Sequence, residues 1–154
     1  SPARHLFDNF VLRHTFSPVS LMMAFASIIV GGVLDAFPKL RFAILEGGTG
    51  WVPYVAERMQ ERCSLLPHWA PAMRQTPLDY VRGDQLYYSM EPDELTASMT
   101  AQVVGEDRLV IGSDYAHWDS SSPESVRIVL GRDDLSEELK RKILSDNPAR
   151  LYKV

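Results

Sequence analysis

Cysteine is almost absent from this chain, since Cys63 is the single one among 154 residues. One cysteine excludes a disulfide framework within the chain and is typical of a protein kept in the reducing cytoplasm. We expect Cys63 to be a small apolar filler on a helix rather than a nucleophile.

An excess of positive charge is also lacking. Sixteen Lys and Arg residues against 20 Asp and Glu residues give a net charge of −4. A chain of this balance has no general affinity for a phosphate backbone, so nucleic acid is not expected as a partner.

An apolar run long enough to span a bilayer comfortably is missing too. The run over residues 19–34 is too short to span a bilayer comfortably, contains two serines and two glycines, and ends at Asp35. No basic segment precedes a cleavage site of small residues, so a signal peptide is not indicated. We therefore predict a helix that protein packs on most sides, and no membrane association.

What the chain does have is enough apolar sequence for one packed domain over residues 1–154. Hydrophobic residues make up 45% and charged residues 23%, which argues against disorder. Helical and strand patterns alternate, which predicts an α/β fold with a parallel sheet and helical crossovers. Strands are predicted at 41–45, 85–90 and 109–113, and residues 64–84 are interpreted as an irregular insertion with room for one short helix.

Helix starts are predicted from local signals. Ser17 is expected to cap the long apolar helix, with Pro18 at its first position, and Asp93 is expected to cap a helix that ends at Gly105.

The most informative segment follows the last predicted strand. Leu109, Val110 and Ile111 form an apolar run typical of a strand buried on both faces. Asp114 comes where that strand should end, with His117 close behind it, and the carboxyl edge of a parallel sheet carries the chemistry in such folds. A turn-capping role for Asp114 remains open on spacing alone.

Four motifs follow one another along the chain: FPKLRF at 37–42, EGG at 46–48, IGSDY at 111–115 and NPARLY at 147–152. In this order they resemble the amidohydrolase-related metal-dependent hydrolases, in the branch of aminocarboxymuconate-semialdehyde decarboxylase. The resemblance implies a (β/α)₈ barrel of roughly 200 residues or more, of which this chain is the C-terminal part, about strands six to eight.

That resemblance also implies a site and a chemistry. The family holds a divalent metal, here expected to be zinc, through three histidines and an aspartate, and only the aspartate maps onto this chain, at Asp114. Decarboxylases of the family carry His-Gly-Gly where this chain has Glu46-Gly47-Gly48, which leaves hydrolysis and decarboxylation both open. We expect Asp114 to be the metal ligand or a base. Glu46, as a buried carboxylate, is expected to move protons or to orient a histidine. His117 is expected to contact the substrate or to be a structural or surface imidazole.

The expected substrate is a small organic or aromatic carboxylic acid, or its ester, amide or lactone. A competing interpretation is a non-catalytic fragment or subunit that needs the missing N-terminal half of the barrel, or another copy, to complete the site. A homo-oligomer is expected on the same grounds. A small open-sheet binding domain is ranked last, because Glu46–Gly50 lacks the spacing of a phosphate-binding loop.

Other side chains are interpreted as structural or left open. His5 and His14 lack metal-ligand spacing to each other and are expected to be structural. Trp51 and Tyr54 are expected to pack their helix, whereas Trp118 and Asp119 could line the pocket or simply belong to an exposed loop.

Overall fold

A three-stranded parallel sheet organises the chain, whose computed structural model describes residues 8–154. The strands are Phe42–Ile44 (β1), Leu86–Met90 (β2) and Leu109–Ile111 (β3), hydrogen-bonded in the order β1-β2-β3. Ala43 lies opposite Tyr87, and Val110 lies opposite Ser89. The predicted α/β fold with a parallel sheet is confirmed.

Helices precede the sheet, connect its strands and follow its last strand. In chain order the α-helices are Phe10–Thr15 (α1), Pro18–Val30 (α2), Val33–Ala36 (α3), Val52–Leu65 (α4), Pro77–Arg82 (α5), Ala97–Val104 (α6), Ser125–Leu130 (α7), Glu137–Arg141 (α8) and Asn147–Tyr152 (α9). Turns of 3₁₀-helix occupy Pro67–Trp69 and Glu106–Arg108, and a π-helical turn at Lys142–Asp146 joins α8 to α9. The crossovers that carry α4 and α6 leave all three strands parallel.

The core lies between one face of the sheet and helices α2, α4 and α6. All five residues of β2 are buried, and its alternate side chains Leu86, Tyr88 and Met90 belong to the core. Phe25 of α2 meets the Tyr88 ring edge-on, with ring centres 6.0 Å apart. Packing therefore fixes β2, and its pairing in register with β1 and β3 sets where those two strands end.

Two predicted helix caps are wrong. Ser17 has helical backbone angles and its hydroxyl donates to the His14 carbonyl at 2.8 Å, because α1 directly precedes it and the chain continues in helical turns. Pro18 does begin α2. Asp93 does not cap α6, which begins only at Ala97, because the residues between β2 and α6 form a loop that contacts the segment after β1.

Residues 64–84 are tied down by local hydrogen bonds. The Thr76 hydroxyl accepts from the Asp79 amide at 3.3 Å, and the Asp79 carboxylate accepts from the Thr76 amide at 3.1 Å, which caps α5. The buried Tyr80 donates its hydroxyl proton to Asp35. The stretch is thereby attached to the end of α3.

Helix α9 is attached at the amino ends of the strands. Asn147 is fully buried, and its amide donates to the carbonyls of Glu106 at 2.8 Å and Leu109 at 2.7 Å. Arg41 donates to the Arg150 carbonyl at 2.6 Å. These bonds fasten the C-terminal helix to the starts of β1 and β3.

The expectation that protein packs the long apolar helix on most sides is wrong for the described residues. Only Phe25 and Ile29 of α2 are buried, whereas Val19 and Met23 are 43% and 68% exposed. Helices α3, α4 and α5 contact α2, and Ala26, Ile28 and Val30 are partly buried against the core, which leaves the other side of α2 exposed. By length and composition the run Phe10–Val30 could cross a membrane, a test that core helices and signal sequences also pass.

Candidate active site

The carboxyl ends of the three strands open onto one cavity of about 1060 Å³. Its walls come from the segments that follow β1, β2 and β3 and from the junction of α1 and α2. The ionisable residues that line it are His14, Glu46, Glu91, Asp93, Glu94, Asp114, His117 and Asp119. The three residues singled out from the sequence, Glu46, Asp114 and His117, therefore face the same cavity, since parallel strands end at one edge of a sheet.

After β3 the chain turns sharply and brings two carboxylates to one imidazole. Asp114 has a left-handed backbone conformation with φ of 51°, and its carbonyl accepts from the His117 amide at 2.7 Å. The His117 Nδ1 atom lies 3.3 Å from Asp114 Oδ2 and is hydrogen-bonded to Asp119 Oδ1.

The charges in this turn favour the protonated imidazole. The hydrogen bond to Asp119, and after it the negative charges of Asp119, Asp114 and Glu46, raise the pKa of His117. The same hydrogen bond lowers the pKa of Asp119. Both atoms near Nδ1 are carboxylate oxygens that only accept, so Nδ1 carries a proton and Nε2 is the nitrogen left for a ligand or a proton.

Asp114, His117 and Asp119 could hold a divalent ion. Each offers one ligand atom, and the three atoms lie within 4.8 Å of one another. Two carboxylate oxygens and one imidazole nitrogen suit zinc or a similar ion. A tight zinc site needs a fourth ligand, so other residues would have to complete this set.

Glu46 lies at the rim of the cavity but is not buried, so the expectation of a buried carboxylate there is wrong. Its backbone is left-handed, with φ of 59°, and its side chain is exposed. No described residue covers this rim, which leaves the carboxylate in contact with solvent.

Glu91 was missed from the sequence. It directly follows β2 and therefore lies at the same carboxyl edge as Asp114. Partial burial and the neighbouring charge of Glu94, followed by that of Asp114, raise its pKa. Its strand-end position, the criterion that selected Asp114, was a sufficient signal.

Four further residues named from the sequence, two histidines and the pair Trp118 and Asp119, differ in where they lie. His14 lines the cavity although it was expected to be structural, and its Nδ1 lies 2.8 Å from the Phe10 carbonyl. Asp119 lines the cavity, whereas Trp118 lies against Phe10, with ring centres 5.6 Å apart. His5 lies outside the described residues.

A second depression lies on the outer side of α4. Trp51 packs against Phe25 with ring centres 5.4 Å apart, as expected. Tyr54 is 65% exposed, so its expected packing role is wrong: it lines an apolar groove of about 460 Å³ together with Cys63 and Trp69. Partial burial raises the pKa of the Cys63 thiol.

Comparison with known proteins identifies the family. Residues 14–154 match the family described as Amidohydrolase, and the chain belongs to that family. It is 26% identical over 99 residues to the 2-amino-3-carboxymuconate-6-semialdehyde decarboxylase of Dictyostelium discoideum, a match that covers 64% of this chain and 27% of that protein.

A solved structure is also similar. An amidohydrolase from Mycobacterium avium subsp. paratuberculosis K-10 superposes with a TM-score of 0.76 at 26% identity, covering 92% of this chain and 34% of that one. The chain thus spans about a quarter of the decarboxylase and a third of the crystallised amidohydrolase.

Proposed function

We propose that this chain is the C-terminal part of an amidohydrolase-type (β/α)₈ barrel, with β1, β2 and β3 as strands six, seven and eight. The complete protein is a metal-dependent hydrolase or decarboxylase of the cytoplasm. Its substrate is a small organic or aromatic carboxylic acid, or an ester, amide or lactone of one. The observation that carries this proposal is the meeting of Asp114 with His117 at the carboxyl edge of a parallel sheet in a chain of this family.

The bound ion, proposed to be zinc, would supply an activated water or polarise a substrate oxygen. Asp114 would hold it or take a proton beside it. His117 accepts or returns a proton at Nε2, and Asp119 fixes its ring through Nδ1. Glu46 adds negative charge at the rim where the family's decarboxylases have histidine.

The charge of the cavity limits how a carboxylated substrate could bind. Six carboxylates and two imidazoles line it, and no Lys or Arg from residues 8–154 does so. A substrate carboxylate would be repelled by these walls. We therefore propose that it binds the ion itself, or a cation from the rest of the barrel.

A second candidate function is that of a non-catalytic piece that requires the missing N-terminal half or another copy. Two observations favour it: the exposed apolar side chains of α1 and α2, and the share of its relatives that the chain spans. Three candidate ligand atoms from exposed residues also make a weak site alone. On either proposal the partner is the rest of the barrel or a second copy.

The test is Asp114→Ala in the complete protein. Zinc per chain would be measured by mass spectrometry, and turnover with p-nitrophenyl acetate and with a hydroxybenzoate. We expect zinc to fall and turnover to drop at least about 100-fold, because the substitution removes a ligand or proton acceptor. Asp133→Ala removes an exposed carboxylate outside the cavity and serves as control. Unchanged zinc content and turnover in Asp114→Ala would exclude the proposed role of this residue.

A further inference from the structure

We propose that Glu94 is a positioning residue, whose carboxylate holds the Glu46–Gly50 loop so that Glu46 stays at the cavity. This inference rests on the proposed function of the site, since it concerns one of its side chains. Glu94 is 48 positions further along the chain than Glu46.

One oxygen of Glu94 gathers the loop. Oε1 accepts from the Thr49 amide at 2.8 Å, the Thr49 hydroxyl at 2.9 Å and the Gly50 amide at 2.7 Å. The Thr96 hydroxyl donates to the same oxygen at 2.8 Å. Two successive amides and two hydroxyls make an anion-binding cradle, and hydrogen bonds to an ionised acceptor are the stronger kind.

The loop is shaped for this carboxylate. Thr49 is fully buried. A Cβ at Gly50 would overlap the Thr96 hydroxyl, and Gly48 has a left-handed backbone with φ of 59° and lies directly over the Glu94 carboxylate. Side chains at these two glycines would push the loop away from Glu94 or strain it.

A second attachment lies on the other side of Gly48. The indole nitrogen of Trp51 donates to the Gly47 carbonyl at 3.0 Å. Glu46 is the next residue, in a left-handed conformation that persists only where its surroundings enforce it. With Gly47 and Gly50 both held, the backbone at Glu46 has little freedom, which keeps the base of its side chain at the cavity.

Glu94 is itself anchored. Arg132 donates to the carbonyls of Pro92 at 3.1 Å and Glu94 at 2.7 Å. The carboxylate therefore transmits a fixed position from the segment after β2 to the loop after β1. Because Oε1 already accepts four hydrogen bonds, that atom is not available to bind an ion or to take a proton.

The test is a double-mutant cycle on kcat in the complete, zinc-loaded protein, with whichever of p-nitrophenyl acetate and the hydroxybenzoate it turns over. Glu94→Ala is expected to lower kcat at least about tenfold, because misplacement of a side chain by about 1 Å can cost 100-fold. In a Glu46→Gln background the same change is expected to cost less than about twofold, since the loop then carries nothing to position. A merely structural loss would multiply in both backgrounds.

Hydrogen exchange of the Thr49 and Gly50 amides gives a second readout. We expect both to exchange at least about tenfold faster in Glu94→Ala than in the wild type, and to be unaffected by Glu57→Ala, an exposed glutamate on α4. Glu94→Gln keeps one acceptor oxygen of the same reach and is expected to give intermediate kcat and exchange. It also serves if Glu94→Ala does not fold.

Three outcomes would overturn the inference: full multiplication of the losses in the double mutant, unchanged amide exchange, or a Glu46→Gln variant with wild-type kcat. Loss of zinc and turnover in Asp114→Ala alongside any of these would leave the proposed function standing and reject only the role of Glu94.

Discussion

Arg132 is a single side chain that joins the loop after β2 to the loop after α7, next to the candidate site. Its guanidinium donates to the Pro92 and Glu94 carbonyls and grips both carboxylate oxygens of Asp134, at 2.9 and 2.6 Å. The hydrogen bond from Arg132, and then its charge, lower the pKa of Asp134. Paired donors of this kind suit the planar arginine fork.

The Arg132–Asp134 pair predicts a pH dependence of stability. A carboxyl whose pKa is lowered by folding stabilises the protein above its unfolded pKa, about 3.9, and that contribution is lost as pH falls through the folded pKa. Asp134→Asn should therefore flatten the decline of unfolding free energy below about pH 4. The effect should stay under about 1 kcal/mol, because Asp134 is half exposed.

Urea unfolding between about pH 2.5 and 7 would measure the effect. Asp133→Asn is the matched control, since its side chain has the same charge one position away and makes no hydrogen bond to Arg132. Identical acid limbs in wild type and Asp134→Asn would contradict the prediction.

At the scale of elements, strands were easier to predict than the beginnings of helices. The apolar run Leu109–Ile111 identifies β3 because a strand covered on both faces has no polar alternation. The start of α6 could not be predicted from local signals. Glu94, which precedes α6, accepts hydrogen bonds from the Thr49 and Gly50 amides, 45 and 44 positions away. Local capping signals carry no information about such distant contacts.

The same division holds within the candidate site. Glu46, Asp114 and His117 could be placed on one cavity because each follows a strand, and strand ends meet at one edge. Nothing in the sequence around Glu94 distinguishes it from a solvated carboxylate. The exposure of Glu46 depends on what covers the rim, which is a property of the tertiary structure.

Helix α2 offers a test of where the core lies. Ile29 is fully buried, whereas Met23 on the same helix is 68% exposed. We expect Ile29→Ala to lower the free energy of unfolding by about 2–5 kcal/mol through lost burial and a cavity. Met23→Ala should change it by less than about 0.5 kcal/mol.

Thermal or urea unfolding of the two variants would measure this contrast. Equal losses for Ile29→Ala and Met23→Ala would mean that α2 buries a different face from the one described here.

At the scale of the whole molecule, the sheet has two unpaired edges among the described residues. β1 and β3 are each bonded to β2 alone, and apolar side chains on α1 and α2 face solvent. Unpaired strand edges and contiguous apolar surface promote association. The proposed missing half of the barrel, or a second copy, would cover both.

We expect the 154-residue chain to self-associate at micromolar concentration, with a sedimentation coefficient that rises with concentration. Val11→Lys combined with Met23→Lys should shift the protein toward the monomer, since each places a charge on an exposed apolar surface. Leu95→Lys is the control, because Leu95 is 94% exposed on the loop after β2. A chain that sediments as a monomer at every concentration would contradict the proposal that this surface is normally covered.

The groove around Cys63 places the chain's one thiol away from the candidate active site. The chain's one thiol lies outside the cavity that holds Asp114, on the helix whose first turn follows Gly50. Attachment of a surface linker or a fluorophore at that sulfur would orient every molecule alike and leave the mouth of the cavity open. Because burial raises the thiol pKa, such coupling would proceed best in mildly alkaline buffer.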